Sequence, residues 1–104
     1  MDVMAKAKAE AEAARRAFVV VRTYSAGVHV GELEARTGKE VVLVNARRLW
    51  SWKGANTLHE VSLRGVAAGS RVSETVAAIT LTEAIEIIEC TPAGAANLRA
   101  AAWT

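Results

Sequence analysis

The chain is short of the residues that build covalent frameworks and reaction centres. It has one cysteine, Cys90, which excludes an internal disulfide and fits a reducing compartment. It has two histidines, His29 and His59, thirty residues apart and in no metal-ligand spacing. Ser25 and Ser62 lack a nucleophile-elbow pattern, and no glycine-rich phosphate loop occurs. Glu32 and Glu34 sit two apart, as solvated carboxylates on a strand face do. The expectation is therefore a protein that is not an enzyme and carries no cofactor or metal. No apolar run is long enough to span a bilayer, and the N-terminus lacks the apolar centre of a signal peptide. A soluble, intracellular protein without membrane contact is expected.

What is present is a chain of 104 residues, 52% hydrophobic and 23% charged, which is the composition of one small globular domain. Much of the hydrophobic fraction is alanine, so large core residues are few, and a thin stability margin favours a homo-oligomer. The net charge of +2 is unevenly placed. Between Arg15 and Arg71, ten Lys or Arg stand against four Glu; beyond Arg71, only Arg99 stands against four Glu.

Residues 1–16 read as an Ala-rich helical extension, built from strong helix formers with Asp2 as cap. Residues 17–104 read as a single small β-rich domain. AFVVVRTYS is a strand, with Phe18, Val20, Arg22 and Tyr24 on one face. VHVGELEAR is a second strand, and Gly31 marks a bulge or bend where the apolar face switches from Val28 and Val30 to Leu33 and Ala35. Thr37-Gly38-Lys39 is a hairpin loop with Gly38 at positive φ. EVVLVNARRLWSW is the third strand, and LHEVSLRG is expected as the fourth, followed by a loop over residues 66–75. AAITLTEAIEII reads as one bent strand or two short ones, with a helix from Glu83 as the alternative. Thr91 and Pro92 open a C-terminal helix, after which Trp103 packs back onto the sheet. The fold class is mainly β (α+β): a small, strongly bent antiparallel sheet or an SH3- or Sm-like barrel, flanked by the two helices. GELEARTGKEVVLVNA resembles the strand-turn-strand of Sm-like proteins, over about a sixth of the chain.

Residues 45–60, NARRLWSWKGANTLHE, differ from the rest of the chain. Two Arg, two Trp, a Lys, two Asn and a His fall within this stretch. Strand alternation puts Arg48, Trp50 and Trp52 on one face. Two flat indoles beside a guanidinium suit nucleobases and phosphates, while Lys53 adds a cation at the turn through Asn56. The same indoles also suit a core or a subunit interface, and the sequence leaves that choice open. RTYSAGVHVG, with Arg22, Tyr24 and His29 around a tight turn, reads either as a second rim or as a plain hairpin. The candidate ligand residues are Arg22, Arg47, Arg48 and Lys53 for phosphates, Trp50 and Trp52 for stacking, and Tyr24, His29, Asn45, Asn56 and His59 for further contacts.

RTYSAGVHVG, then GKEVVLVNARRLWSWKGA, then ITLTEAIEII together resemble a family of small uncharacterised proteins from bacteriophages and prophages. The resemblance covers roughly residues 20–90. It implies action inside a bacterial host's cytoplasm, but no particular activity. Chemistry and size then lead to the expectation of a non-enzymatic binder of a nucleotide-like anion, such as a cyclic oligonucleotide or ADP-ribose derivative. Such a protein could sequester a nucleotide signal of host antiphage defence, as a sponge. A virion accessory or inhibitor of a host protein is the alternative. An Sm-like or single-strand nucleic-acid binder ranks third, because a net +2 gives no long electrostatic track.

Overall fold

The computed structural model describes residues 16–103, so the Ala-rich helix expected at the N-terminus lies outside the described residues. The elements run β1 (Phe18–Thr23), β2 (Val28–Thr37), β3 (Glu40–Ser51), α1 (Leu58–Arg64), β4 (Arg71–Val72), β5 (Val76–Leu81), β6 (Ala84–Glu89) and α2 (Pro92–Ala100). All strand pairs are antiparallel, in the order β4-β3-β2-β1-β6, with β5 on the same edge of β3 as β4. The fold is therefore mainly β with two helices, and its sheet does not close into a barrel.

The sheet is nevertheless strongly bent. β5 and β6 lie on opposite edges yet are joined by only Thr82 and Glu83. That corner is tied down where the sheet curls: Tyr24 N–H donates to Glu83 O at 2.9 Å, and Ala84 N–H donates to Lys39 O at 3.0 Å. As a result the sheet carries a core on each face. Phe18, Val20, Val30, Leu49 and Val72 pack under the helices with Val61, Ala95 and Leu98. Val19, Val21, Val41, Leu43, Ala46 and Leu81 fill the inside of the curl. This explains the unbroken FVVV run: Val19, Val20 and Val21 have no exposed surface, because β1 is covered on both sides. Burying each of them contributes roughly 1.5–3 kcal/mol.

The bends have local causes. Against β3, the register of β2 shifts between Val30 and Glu32: Asn45 and Ala46 of β3 stand opposite the single residue Gly31, so the bulge lies in β3 and faces the glycine where the sequence predicts a bulge or bend. A Cβ at Gly31 would stand 3.1 Å from Ala46 Cα, so the two strands approach closely there. Asn45, within that bulge, has φ 48°, which asparagine tolerates better than most residues. The hairpin after β2 places Gly38 at φ 59°, as expected.

Two expectations are corrected. LHEVSLRG is not a strand: Leu58–Arg64 is helix α1. Thr57 caps it by accepting from Glu60 N–H, and the Glu60 carboxylate accepts from Asn56 N–H at 2.7 Å. That backbone donor is the main reason the Glu60 carboxyl titrates below its ordinary range. T-L-H-E is a capping-box signature, and it outweighs the β-favouring valine. The loop over residues 66–75 also contains a short strand, Arg71–Val72. The other elements follow the sequence: AAITLTEAIEII forms two strands, and Thr91 caps α2 by accepting from Gly94 N–H. Trp103 does return to the sheet, bridging Arg71 and lying 5.7 Å from its guanidinium, but it remains exposed.

Candidate functional site

The two sequence clusters meet. A groove of about 500 Å³ runs between the β1–β2 turn and the end of β3, lined by Ser25, Ala26, Gly27, Val28, Arg48, Leu49, Trp50 and Trp52. Its volume falls in the range of small-ligand sites.

One wall is the turn from Thr23 to Val28, held by its own side chains. Thr23 Oγ1 donates to Gly27 O at 2.7 Å and accepts from Ala26 N–H at 2.8 Å. His29 is buried behind the turn, with Nε2 2.9 Å from Ala26 O. A carbonyl only accepts, so Nε2 carries the proton in this contact. Burial is the largest influence on His29 and lowers its pKa, partly offset by that hydrogen bond and reinforced by Arg48. The imidazole is thus neutral at pH 7. The sign for stability follows: the unfolded chain takes up a proton first as pH falls through about 6.5, so the fold weakens from there down to the lowered native pKa. His29→Gln should flatten that part of the stability–pH curve, as urea denaturation between pH 7.5 and 5 would show. An unchanged slope would mean that His29 is not the linked group.

The other wall comes from β3. The ladder with β4 pairs Leu49 with Val72 but Ser51 with Arg71, so Trp50 is the extra residue of a bulge. The bulge breaks the strict alternation that would place Trp50 and Trp52 alike. Trp50 is 61% exposed, whereas Trp52 is half-buried against the helix-side core. Both still line the groove. Arg48 lies between them and the turn. Its backbone is fixed by Ser73, whose Oγ accepts from Arg48 N–H at 2.7 Å and whose N–H donates to Arg48 O at 2.9 Å. No carboxylate or carbonyl among the described residues holds the Arg48 guanidinium. Arg48 also borders a second depression of about 310 Å³, with His29, Ser73, Glu74 and Val76.

The remaining candidates do not line this groove. Arg22 is paired with Glu86 across β1 and β6. Arg47 reaches under the helices, where Nη1 donates to Leu98 O at 2.9 Å and Arg99 O at 3.0 Å, and Nε donates to Ser73 O at 2.8 Å. Burial lowers its pKa, but a guanidinium there stays charged. Asn45 donates to Glu32 at the β2–β3 bulge. Lys53 belongs to the following loop, and its backbone N–H donates to Ser70 Oγ. Asn56 is joined to Glu60 at the start of α1, and His59 is exposed on that helix. Tyr24 is 78% exposed beside the turn. Ser73 was missed in the sequence, and only the pairing of the 66–75 segment with β3 would have revealed it. Burial pushes the Cys90 thiol up to about 11, so it is not a ready nucleophile. No group of three or more potential metal ligands occurs among the described residues. No helix among them is long and apolar enough to cross a membrane.

Fold and groove together define a small α+β protein with an open, bent antiparallel sheet and an indole-lined cleft at one end. Residues 16–98 match the family described as "Domain of unknown function (DUF6948)", and the chain belongs to that family. No curated protein and no solved structure matches it.

Proposed function

We propose that the protein is a non-enzymatic binder of a nucleotide-like anion, held in the groove between the β1–β2 turn and Trp50. The observation that carries this reading is the placement of an exposed indole, a half-buried indole and the uncommitted Arg48 guanidinium around one cleft. A base stacked on Trp50 gains roughly 1–3 kcal/mol. A phosphate on Arg48 adds a charge-assisted contact. Arg22 and Arg47 are engaged elsewhere and Lys53 does not line the groove, so the site offers one clear cation rather than four. That favours a compact ligand over a polynucleotide, whose binding needs a track of such contacts. In a phage or prophage setting, this binding would sequester a nucleotide signal in the host cytoplasm.

Native mass spectrometry against a pool of cyclic oligonucleotides and ADP-ribose derivatives tests the reading. A discrete nucleotide mass on the wild type, lost in Arg48→Ala, is expected. Equal uptake by both proteins would remove the groove from the account. The second reading is a protein-interaction module, favoured by Tyr24 and Trp50, large exposed side chains flanking the same turn. It predicts no mass gain from the pool.

A further inference from the structure

The sheet has three edge strands among the described residues, and they are protected unequally. β4 is two residues long, and Trp103 bridges to its Arg71. β6 carries Glu86 and Glu89, with Glu86 paired to Arg22. β5 has neither defence. Its sequence is VAAITL, without a charge or a proline, and it pairs only with β3. Edges of that kind are templates for another strand.

We propose that β5 pairs with β5 of a second copy of this chain, forming a symmetric dimer through a continuous antiparallel sheet. Three observations select a second copy as the occupant. An uncharged strand meets itself without like-charge repulsion, which the glutamates of β6 would not allow. Val76, Ala77, Ala78 and Thr80 are exposed, so the accessible span is centred on Ala78. A two-fold axis there keeps each face of the sheet continuous and sets Val76 opposite Thr80 of the partner subunit. At the start of the strand, Val76 borders one depression with Ser73, Glu74 and Trp103, and Val76 and Trp103 are 48% and 55% exposed. This apolar surface extends the contact past the backbone ladder. The proposal is independent of what the groove binds.

Light scattering on the full chain, with two variants, tests it. The wild type should be a dimer across micromolar concentrations, and Ala78→Glu should be a monomer with an unchanged far-UV spectrum. Ala78→Cys in a Cys90→Ala background should form an intermolecular disulfide on mild oxidation. Opposed residues in an antiparallel pair have Cα atoms about 4.5–5.5 Å apart, within disulfide reach. A monomeric wild type overturns the proposal, and so does a dimer that survives Ala78→Glu or fails to cross-link. An assembly larger than a dimer also overturns it, since head-to-tail pairing of β5 with β6 would build one.

Discussion

Replacing Gly94 by alanine lowers the stability of this protein by about 2–4 kcal/mol, although alanine is the better helix former. Gly94 lies in the first turn of α2, where the helix meets the end of α1. An ideal Cβ at this position would stand 2.2 Å from Ser62 O and 2.9 Å from Ser62 C. Both are backbone atoms, so no side chain can swing away. The same junction is fixed by Thr91 N–H donating to Ser62 O at 3.0 Å and Thr91 Oγ1 donating to Leu63 O at 2.7 Å. Relieving the clash means moving one helix against the other and loosening Val61, Ala95 and Leu98 in the core. The intrinsic gain of about 1 kcal/mol from Gly to Ala in a helix does not offset that. A domain of this size should lose roughly 4–8 °C of Tm per kcal/mol, which thermal unfolding by circular dichroism will read. A variant as stable as the parent would mean that the helices are not in this contact.

The second large effect is at Arg47. Its guanidinium joins the carbonyls of Ser73, Leu98 and Arg99, and so ties β3 to the segment after β4 and to the C-terminal end of α2. Arg47→Ala removes these bonds together and leaves partly buried carbonyls without their donors. Hydrogen bonds to charged groups contribute about 1.5–3 kcal/mol each and are not additive, so a loss of about 2–4 kcal/mol is expected. Arg47→Lys should recover only part of it, because an ammonium lacks the planar fork. The neighbouring Arg48→Ala is the internal control. That side chain is exposed, and its removal should change stability by less than about 0.5 kcal/mol. Urea denaturation of the three variants separates the roles. If Arg47→Ala is as stable as Arg48→Ala, the tie between β3 and α2 is absent.

Much of this architecture was legible in the sequence. The FVVV run marks β1 as a strand, and Gly31 marks the irregularity where the apolar pattern changes phase, although the extra residue of the bulge is in β3 opposite it; that β1 is covered on both faces shows only in the fold. Helix α1 was missed because Leu58, Val61 and Leu63 suit a strand as well as a helix, while the decisive signal lay in the Thr57–Glu60 cap. The site was legible as composition but not as geometry. Period-two reasoning placed Trp50 and Trp52 alike, yet the bulge at Trp50 turns one outward and lets the other reach the core. Arg47 and Arg48 are adjacent and chemically identical in the sequence. Which of them meets a helix terminus depends on where α2 ends in space, more than forty residues later. The groove itself joins Ser25–Val28 to Arg48–Trp52 through the β2–β3 register, which pairs Val28 with Leu49 and His29 with Arg48.

The most direct test of the groove as a nucleotide site is a fluorescence titration of the indoles with the cyclic oligonucleotide or ADP-ribose derivative that gives the strongest mass shift. Saturable quenching is expected in the wild type, carried by Trp50. Trp50→Phe should lose most of the signal change, and Arg48→Ala should weaken affinity about tenfold or more, as expected for losing 1.5–3 kcal/mol. Quenching that persists in Trp50→Phe, with an affinity unaltered in Arg48→Ala, would contradict it.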